Sequence, residues 1–243
     1  MRVFVTGASS GLGAEFARQY AAFDNELILL ARRKERLEAL RDELKDKCKN
    51  ISIIAVDVTD FELLQKKIDA MTVPDLVILN AGVSLGHSGD IATIKEFKHL
   101  YDVNVLANHA ILEILLPKLK AKRSAKIVFI SSLSSLFTMP SAKVYASSKR
   151  ALNAYAEGIR YKYAPYGIKV ITLLPGFIKS ELTDKNEFKM PFLLETEEGV
   201  KRMKNAIEKG KKFYAFPLRF YLIIHIINLL PSFLRQRIVN STK

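Results

Sequence analysis

Short apolar runs alternate along this chain with longer segments in which apolar residues recur every three or four positions. The short runs are Arg2–Thr6, Leu27–Ala31, Ile51–Val56, Leu76–Asn80, Lys126–Ser131 and Ile168–Leu174. Most are continuous rather than alternating, the pattern of strands covered on both faces. Between them lie helical segments at Gly13–Ala22, Lys34–Lys47, Phe61–Ala70, Thr93–Leu116 and Val144–Tyr163. In 33–44, Leu37, Leu40 and Leu44 mark one face of a helix and charged residues fill the other. Strands separated by helices imply right-handed βαβ units. The expected fold class is therefore α/β: a doubly wound parallel sheet of about seven strands with helices on both faces. Nothing divides the chain by repeat, low-complexity tract or linker, so 1–243 reads as a single domain. After Pro175-Gly176 the alternation loosens.

Composition narrows the classes. With 243 residues, 49% of them hydrophobic, the chain can bury a core, which excludes global disorder. The one cysteine, Cys48, excludes an internal disulfide framework and a four-cysteine zinc site. The four histidines, His87, His99, His109 and His225, lack ligand spacing, so no metal is expected. The strand-like opening Arg2-Val3-Phe4-Val5 shows no secretory signal, and a cytoplasmic location is expected. Net charge is +13, but residues 201–243 hold ten Lys/Arg and one acid, a local +9. Phe220 to Leu230 is the longest uncharged apolar run; its 11 residues fall short of the about 20 that a bilayer span needs.

The first candidate chemistry follows the first strand. In Thr6-Gly7-Ala8-Ser9-Ser10-Gly11-Leu12-Gly13, Gly7 permits a tight turn and Gly11 removes a Cβ where a pyrophosphate would approach. Gly13 lets helix and strand pack closely, and the helix start offers free N–H groups to phosphate. A structural strand–helix turn would also use glycines. Its place at the first strand–helix junction points to a Rossmann-type nucleotide site. The second strand ends Leu30-Ala31-Arg32-Arg33, with no carboxylate for a ribose 2′-hydroxyl and two guanidiniums for a 2′-phosphate. NADP(H) is thus expected over NAD(H), although Arg33 could also be a solvated first-turn residue.

Tyr145-Ala-Ser-Ser-Lys149 begins a helical segment, and positions i and i+4 share a face. A lysine cation favours the phenolate, so the pair is expected to act as an acid/base with its pKa drawn down from about 10. Two surface residues on a helix would show the same spacing. Ser131-Ser132 closes the fifth strand, where open α/β sheets bind ligands, and Ser132 could hold a carbonyl oxygen near Tyr145. A serine in a strand-end turn is the alternative.

Together these residues resemble the short-chain dehydrogenase/reductase superfamily, in its compact single-domain subgroup. The matching pieces are Thr6-Gly-x-x-x-Gly-x-Gly13, Asp57-Val58, Asn80-Ala81-Gly82, Asn104, Ser132, Tyr145-x-x-x-Lys149 and Pro175-Gly176, in the family's order over roughly 1–183. The extended, epimerase-like branch differs in its glycine turn and its longer C-terminal domain. The resemblance implies that Tyr145 is the general acid in reduction and the general base in oxidation. It implies that Lys149 binds the nicotinamide ribose and lowers the tyrosine pKa, and that Ser132 polarises the carbonyl. Asn104 would fix a water linking Lys149 to solvent. The cofactor would lie on Gly7, Ser9, Ser10, Gly11, Leu12 and Gly13, with Arg32 and Arg33 at the 2′-phosphate. Asp57 and Val58 would flank the adenine, Asn80, Ala81 and Gly82 the adenosine ribose. Pro175, Gly176, the Ile178 backbone and Ser180 would hold the carboxamide.

By the same resemblance, 1–183 forms the cofactor-binding and catalytic core, and 184–243 a substrate lid with an apolar, basic C-terminal segment. Thr183–Thr196, with Met190-Pro191-Phe192-Leu193-Leu194, is either a mobile lid suited to an apolar substrate or a short helix on the core. Phe177, Met139 and Ser134 are further pocket candidates by position. Phe213–Phe216 is a candidate last strand, and Leu218 to Leu230 a nearly all-apolar helix flanked by Lys211, Lys212, Arg219, Arg235 and Arg237. Three readings of 211–237 stay open: a peripheral membrane contact, a dimer or tetramer contact, or a helix capping the sheet edge. The expected function is hydride transfer to or from a small carbonyl or secondary alcohol. A non-catalytic dinucleotide-bound regulator or scaffold is the alternative. No nucleic-acid motif accompanies the positive charge.

Overall fold

The computed structural model describes residues 1–85, 91–184 and 190–241. Seven parallel strands form one sheet: β1 (Arg2–Thr6), β2 (Glu26–Ala31), β3 (Asn50–Ala55), β4 (Leu76–Leu79), β5 (Ala125–Ile130), β6 (Ile168–Pro175) and β7 (Phe213–Phe216). Their order across the sheet is β3-β2-β1-β4-β5-β6-β7. β1 pairs β2 on one side, with Val3 opposite Leu27, and β4 on the other, with Val3 opposite Leu76. Chain direction across the sheet reverses between β1 and β4, and the strand ends splay into a crevice there.

The helices are α1 (Gly11–Tyr20), α2 (Lys34–Leu44), α3 (Phe61–Ala70), α4 (Ile94–Tyr101), α5 (Ala107–Lys122), α6 (Lys143–Tyr163), α7 (Thr196–Glu208), α8 (Leu218–Leu229) and α9 (Ser232–Ser241). They cover both faces of the sheet. One core joins α1, α2 and α7 to the sheet through residues such as Phe16, Leu37 and Met203. The other joins α3, α5 and α6 through Leu64, Leu115 and Leu152. The continuous apolar runs of β1, β2, β4, β5 and β6 are buried because both faces are covered. β3 departs from that pattern. As an edge strand it alternates exposed and half-buried positions.

Two other expectations need correction. The helix expected over 93–116 is two helices, α4 and α5, joined by a wide π-type turn at Asp102–Leu106. That turn places Asn104 inward, fully buried. Thr93 closes the start of α4 with a capping box to Glu96. The loose pattern after Gly176 also concealed α7, whose Val200, Met203, Ala206 and Ile207 are buried beside α1. Part of the expected lid, 185–189, and His87 lie outside the described residues. The described stretch 190–195 is irregular rather than helical, and Leu194 bridges to Ile178.

Candidate active site

A cleft of about 440 Å³ opens across the carboxyl ends of the strands. At its β1 end lie Gly7, Ser9, Ser10, Gly11 and Leu12. Gly11 has φ +50°, a conformation that glycine adopts without strain. Gly13 does not line the cleft. A Cβ there would lie 2.1 Å from the Gly7 carbonyl oxygen, so Gly13 brings α1 against the turn, as its spacing predicts. Gly13→Ala should therefore lower the melting temperature by about 5 °C or more, since overpacking at a rigid backbone costs on the order of 1–3 kcal/mol. Thermal unfolding checks this; an unchanged midpoint would contradict it.

Ser10 precedes α1 in an extended conformation and makes no side-chain cap. The first-turn N–H groups of α1 thus point toward the glycine turn without a hydroxyl covering them. Ser9 and Ser10 instead accept hydrogen bonds from Arg33, Nε to Ser9 Oγ at 3.2 Å and Nη2 to Ser10 Oγ at 2.6 Å. Arg33 also pairs with Glu181 at 3.0 Å, and Arg36 pairs with the same carboxylate. Arg36, then Arg33, holds the Glu181 carboxyl down at about 2. The sequence held no signal for this clamp, because its partners are far apart in the chain. Arg33 is not merely solvated. Arg32 is the more open of the two, its side chain 61% exposed and 3.5 Å from Asp57. Burial works against the Asp57 charge, yet the Thr59 amide and hydroxyl, with Arg32, hold its pKa below the ordinary value.

The β4 end is built by hydrogen bonds to two buried side chains. Thr6 Oγ1 accepts from the Asn80 and Ala81 amides, each at 2.9 Å. Asn104 grips Val83 twice: Oδ1 accepts the Val83 amide at 2.8 Å, and Nδ2 donates to the Val83 carbonyl at 3.0 Å. The same Nδ2 donates to Ser148 Oγ at 3.0 Å, which ties this loop to α6. Asn104 stands behind the cleft rather than on its wall. Its side chain is committed to Val83 and Ser148, a positioning task its motif did not disclose.

Tyr145 and Lys149 enter from the first turns of α6, and Ser132 from the turn after β5. All three line the cleft together with Gly82. Ser132 is hydrogen-bonded to the Tyr145 phenol and also accepts the Ser134 amide. Lys149 is buried, donates from Nζ to the Ile130 carbonyl at 2.9 Å and stands 5.7 Å from the Tyr145 ring centroid. The expected downward pull on the phenol is overturned: burial pushes Tyr145 up to about 12, and the Ser132 hydrogen bond only partly offsets it. The Lys149 amine donates to the Ile130 carbonyl rather than to the phenol.

Burial also draws Lys149 from 10.5 down to about 8. The unfolded chain therefore binds more protons than the folded chain between about pH 8 and pH 10.5. The cost of burying the ammonium is fully present below that window and is relieved across it. Wild-type stability relative to Lys149→Met should rise by on the order of 3 kcal/mol from pH 7 to pH 10.5. Denaturant titrations at both pH values check this; a constant difference would contradict it.

Beyond Pro175 and Gly176, the cleft is lined by Ile178, Ser180, Glu181, Leu182 and Thr183. The buried Thr183 hydroxyl accepts the Ser180 amide at 2.8 Å and donates toward the Ile178 carbonyl at 3.0 Å, which fixes this turn. Val83, Ser84 and Val103 line the cleft without having been singled out. Met139, Ser134 and Phe177 do not line it; Phe177 stacks on Phe220 of α8 at 5.9 Å. Among the described residues no cluster of His, Cys, Asp or Glu could hold a metal.

An open parallel sheet with a glycine turn at its reversal point and a Ser, Tyr and Lys set beside it defines a nucleotide-binding oxidoreductase. The family of short chain dehydrogenases matches residues 1–190, and the chain belongs to it. An uncharacterized oxidoreductase of Myxococcus xanthus is 32% identical over 232 residues, covering 94% of this chain and 92% of that protein. An 11-beta-hydroxysteroid dehydrogenase-like protein of Arabidopsis thaliana is 35% identical over 86% of this chain and 69% of its own length. Among solved structures, a short-chain dehydrogenase from Sphingobium yanoikuyae in complex with NADPH superposes with a TM-score of 0.83. It is 23% identical and covers 95% of this chain and 96% of its own. The protein is thus an oxidoreductase of a family that binds NAD(P).

Proposed function

We propose that this protein is an NADP(H)-dependent reductase of apolar carbonyl compounds, or in reverse a dehydrogenase of secondary alcohols. The observation that carries this reading is the meeting of Ser132, Tyr145 and Lys149 on one wall of a cleft whose other end is a glycine turn. The residues present fit a dinucleotide. The α1 N–H groups with Ser9, Ser10, Gly11 and Leu12 would hold the pyrophosphate, and Arg32, backed by Arg33, a 2′-phosphate. Asp57 and Val58 would border the adenine, and Asn80 to Gly82 the ribose. Pro175, Gly176, Ile178 and Ser180 would hold the carboxamide. When bound, the nicotinamide supplies the hydride.

The chain's own residues supply position and a proton. The Ser132 hydroxyl donates a hydrogen bond to the substrate carbonyl oxygen and polarises it. The Tyr145 phenol gives its proton to that oxygen in reduction and takes it back in oxidation. A phenol held near 12 stays protonated at neutral pH, which suits it to the acid role. Lys149, 4% exposed, would hold the nicotinamide ribose. Asn104 keeps Val83 and Ser148 in register around the pair. Beside Gly176, Phe220 stacks on Phe177 at 5.9 Å and meets a tilted Phe192 ring at the same distance, an apolar cluster that favours an apolar substrate. NADPH consumption across carbonyl compounds of graded chain length tests the function. Turnover that favours longer apolar carbonyls supports it, and no consumption with any of them overturns it.

A further inference from the structure

We propose that α8 and its flanks dock this enzyme on the anionic surface of a lipid bilayer. The helix so placed is the one that packs against Gly176 on the cleft wall. The observation is a helix that buries apolar residues on its inner side and leaves an apolar stripe uncovered on its outer side. On its inner side, Ile224 is buried with Leu133 and Leu174, and Phe220 packs against Gly176. On its outer side, Leu218 is 64% exposed, Leu222 47%, Ile226 60% and Leu229 74%. Those four recur at three- and four-residue spacing and form one stripe. An uncovered apolar stripe of this length calls for a partner.

The charge around the stripe selects the partner. Residues 209–243 hold seven Lys/Arg and no acid. Arg219 lies on α8 itself, and Arg235 and Arg237 on α9. Among the described residues none of these three pairs with a carboxylate. A second copy seated on the stripe would bring two such acid-free segments together, which like-charge repulsion opposes. An anionic lipid surface answers both features: acyl chains accept the leucines and isoleucines, and headgroups accept the guanidiniums. α8 has 12 residues, about 18 Å of helix against a hydrocarbon layer of about 30 Å, so it lies in the interface and does not span. No helix among the described residues is long and apolar enough to cross a membrane.

The placement has a consequence for the substrate. Phe220, on the inner side of this helix, stacks on Phe177 and meets a tilted Phe192 ring. Phe192 and Leu193 are themselves 42% and 43% exposed. Phe220 thus joins α8 to Gly176, which lines the cleft. On this docking, an apolar carbonyl compound dissolved in the lipid would be delivered beside Gly176 at the cleft. This last step rests on the reductase reading above; the docking itself does not.

Flotation of the full chain with vesicles of phosphatidylcholine alone, or with about one third phosphatidylserine, tests the docking. Binding to the acidic vesicles that weakens in high salt is expected. Leu222→Glu with Ile226→Glu should reduce it about ten-fold or more, and Arg235→Gln with Arg237→Gln should reduce it on acidic vesicles. NADPH binding, followed by its fluorescence, should be unchanged in both variants, which separates lost docking from lost fold. Absence of binding to acidic vesicles overturns the proposal. So does a stable dimer in solution that Leu222→Glu dissociates, since a second copy would then cover the stripe. A chain that docks yet reduces no carbonyl compound would overturn the reductase reading and leave the docking standing.

Discussion

Tyr145→Phe should lower the turnover number for carbonyl reduction by about three orders of magnitude while leaving NADPH affinity within about three-fold. A positioned general acid contributes on the order of 10²- to 10⁴-fold, and the substitution removes only the oxygen that carries the proton. The ring remains to fill its half-buried place on the cleft wall. The Ser132 hydroxyl loses the phenol as its partner but still accepts the Ser134 amide, so the turn after β5 keeps its shape. Lys149 keeps its bond to the Ile130 carbonyl, so its stem does not depend on the phenol. The effect should therefore fall on kcat and not on cofactor binding. Single-turnover kinetics with a responsive carbonyl compound, beside an NADPH titration, make the measurement. If kcat falls less than ten-fold, the proton comes from another group.

Arg32→Asp should reverse the cofactor preference. NADPH affinity is expected to fall about 100-fold and NADH affinity to change by less than about five-fold. A charge-assisted contact to phosphate is worth about 1.5–3 kcal/mol, and a carboxylate in its place adds repulsion. The side chain is free to make that contact, because it is largely exposed and its bond to Asp57 is long at 3.5 Å. Arg33 is less free, held by Ser9, Ser10 and Glu181. Arg33→Ala should thus disturb the glycine turn and weaken both cofactors, whereas Arg32→Asp discriminates between them. Equal losses for NADPH and NADH in Arg32→Asp would refute the assignment.

Much of this site was legible along the chain because each part of it sits at a strand end. Thr6, Ala31, Asn80 and Ser131 each fall where an apolar run stops, and all of those runs became strands of one parallel sheet. Side chains that far apart in sequence meet because parallel strands bring every carboxyl end to the same edge. What was illegible needed information that local pattern does not hold. Glu181 meets Arg33 and Arg36 only through the turn after β6. The π-type turn around Asn104 reads as continuous helix, since one extra residue barely disturbs a run of apolar positions. α7 was hidden because its apolar stripe is narrow among charged residues; packing against α1 stabilises it.

The direction of the Tyr145 shift shows where local reasoning stops. Spacing of i and i+4 puts a phenol and an amine on one helix face, and a cation there favours the phenolate. The three-dimensional arrangement turns Nζ to the Ile130 carbonyl and encloses the phenol, so burial dominates both groups. Residue types and their spacing along this chain determined the strand and helix order, the glycine turn and the Ser, Tyr and Lys set, because these follow from periodicity and local sterics. Only the folded chain decided which arginine stays open, what Asn104 holds, how far the titrating groups move and that α8 keeps an uncovered apolar face. Each of those depends on distances and solvent exposure between residues remote in sequence.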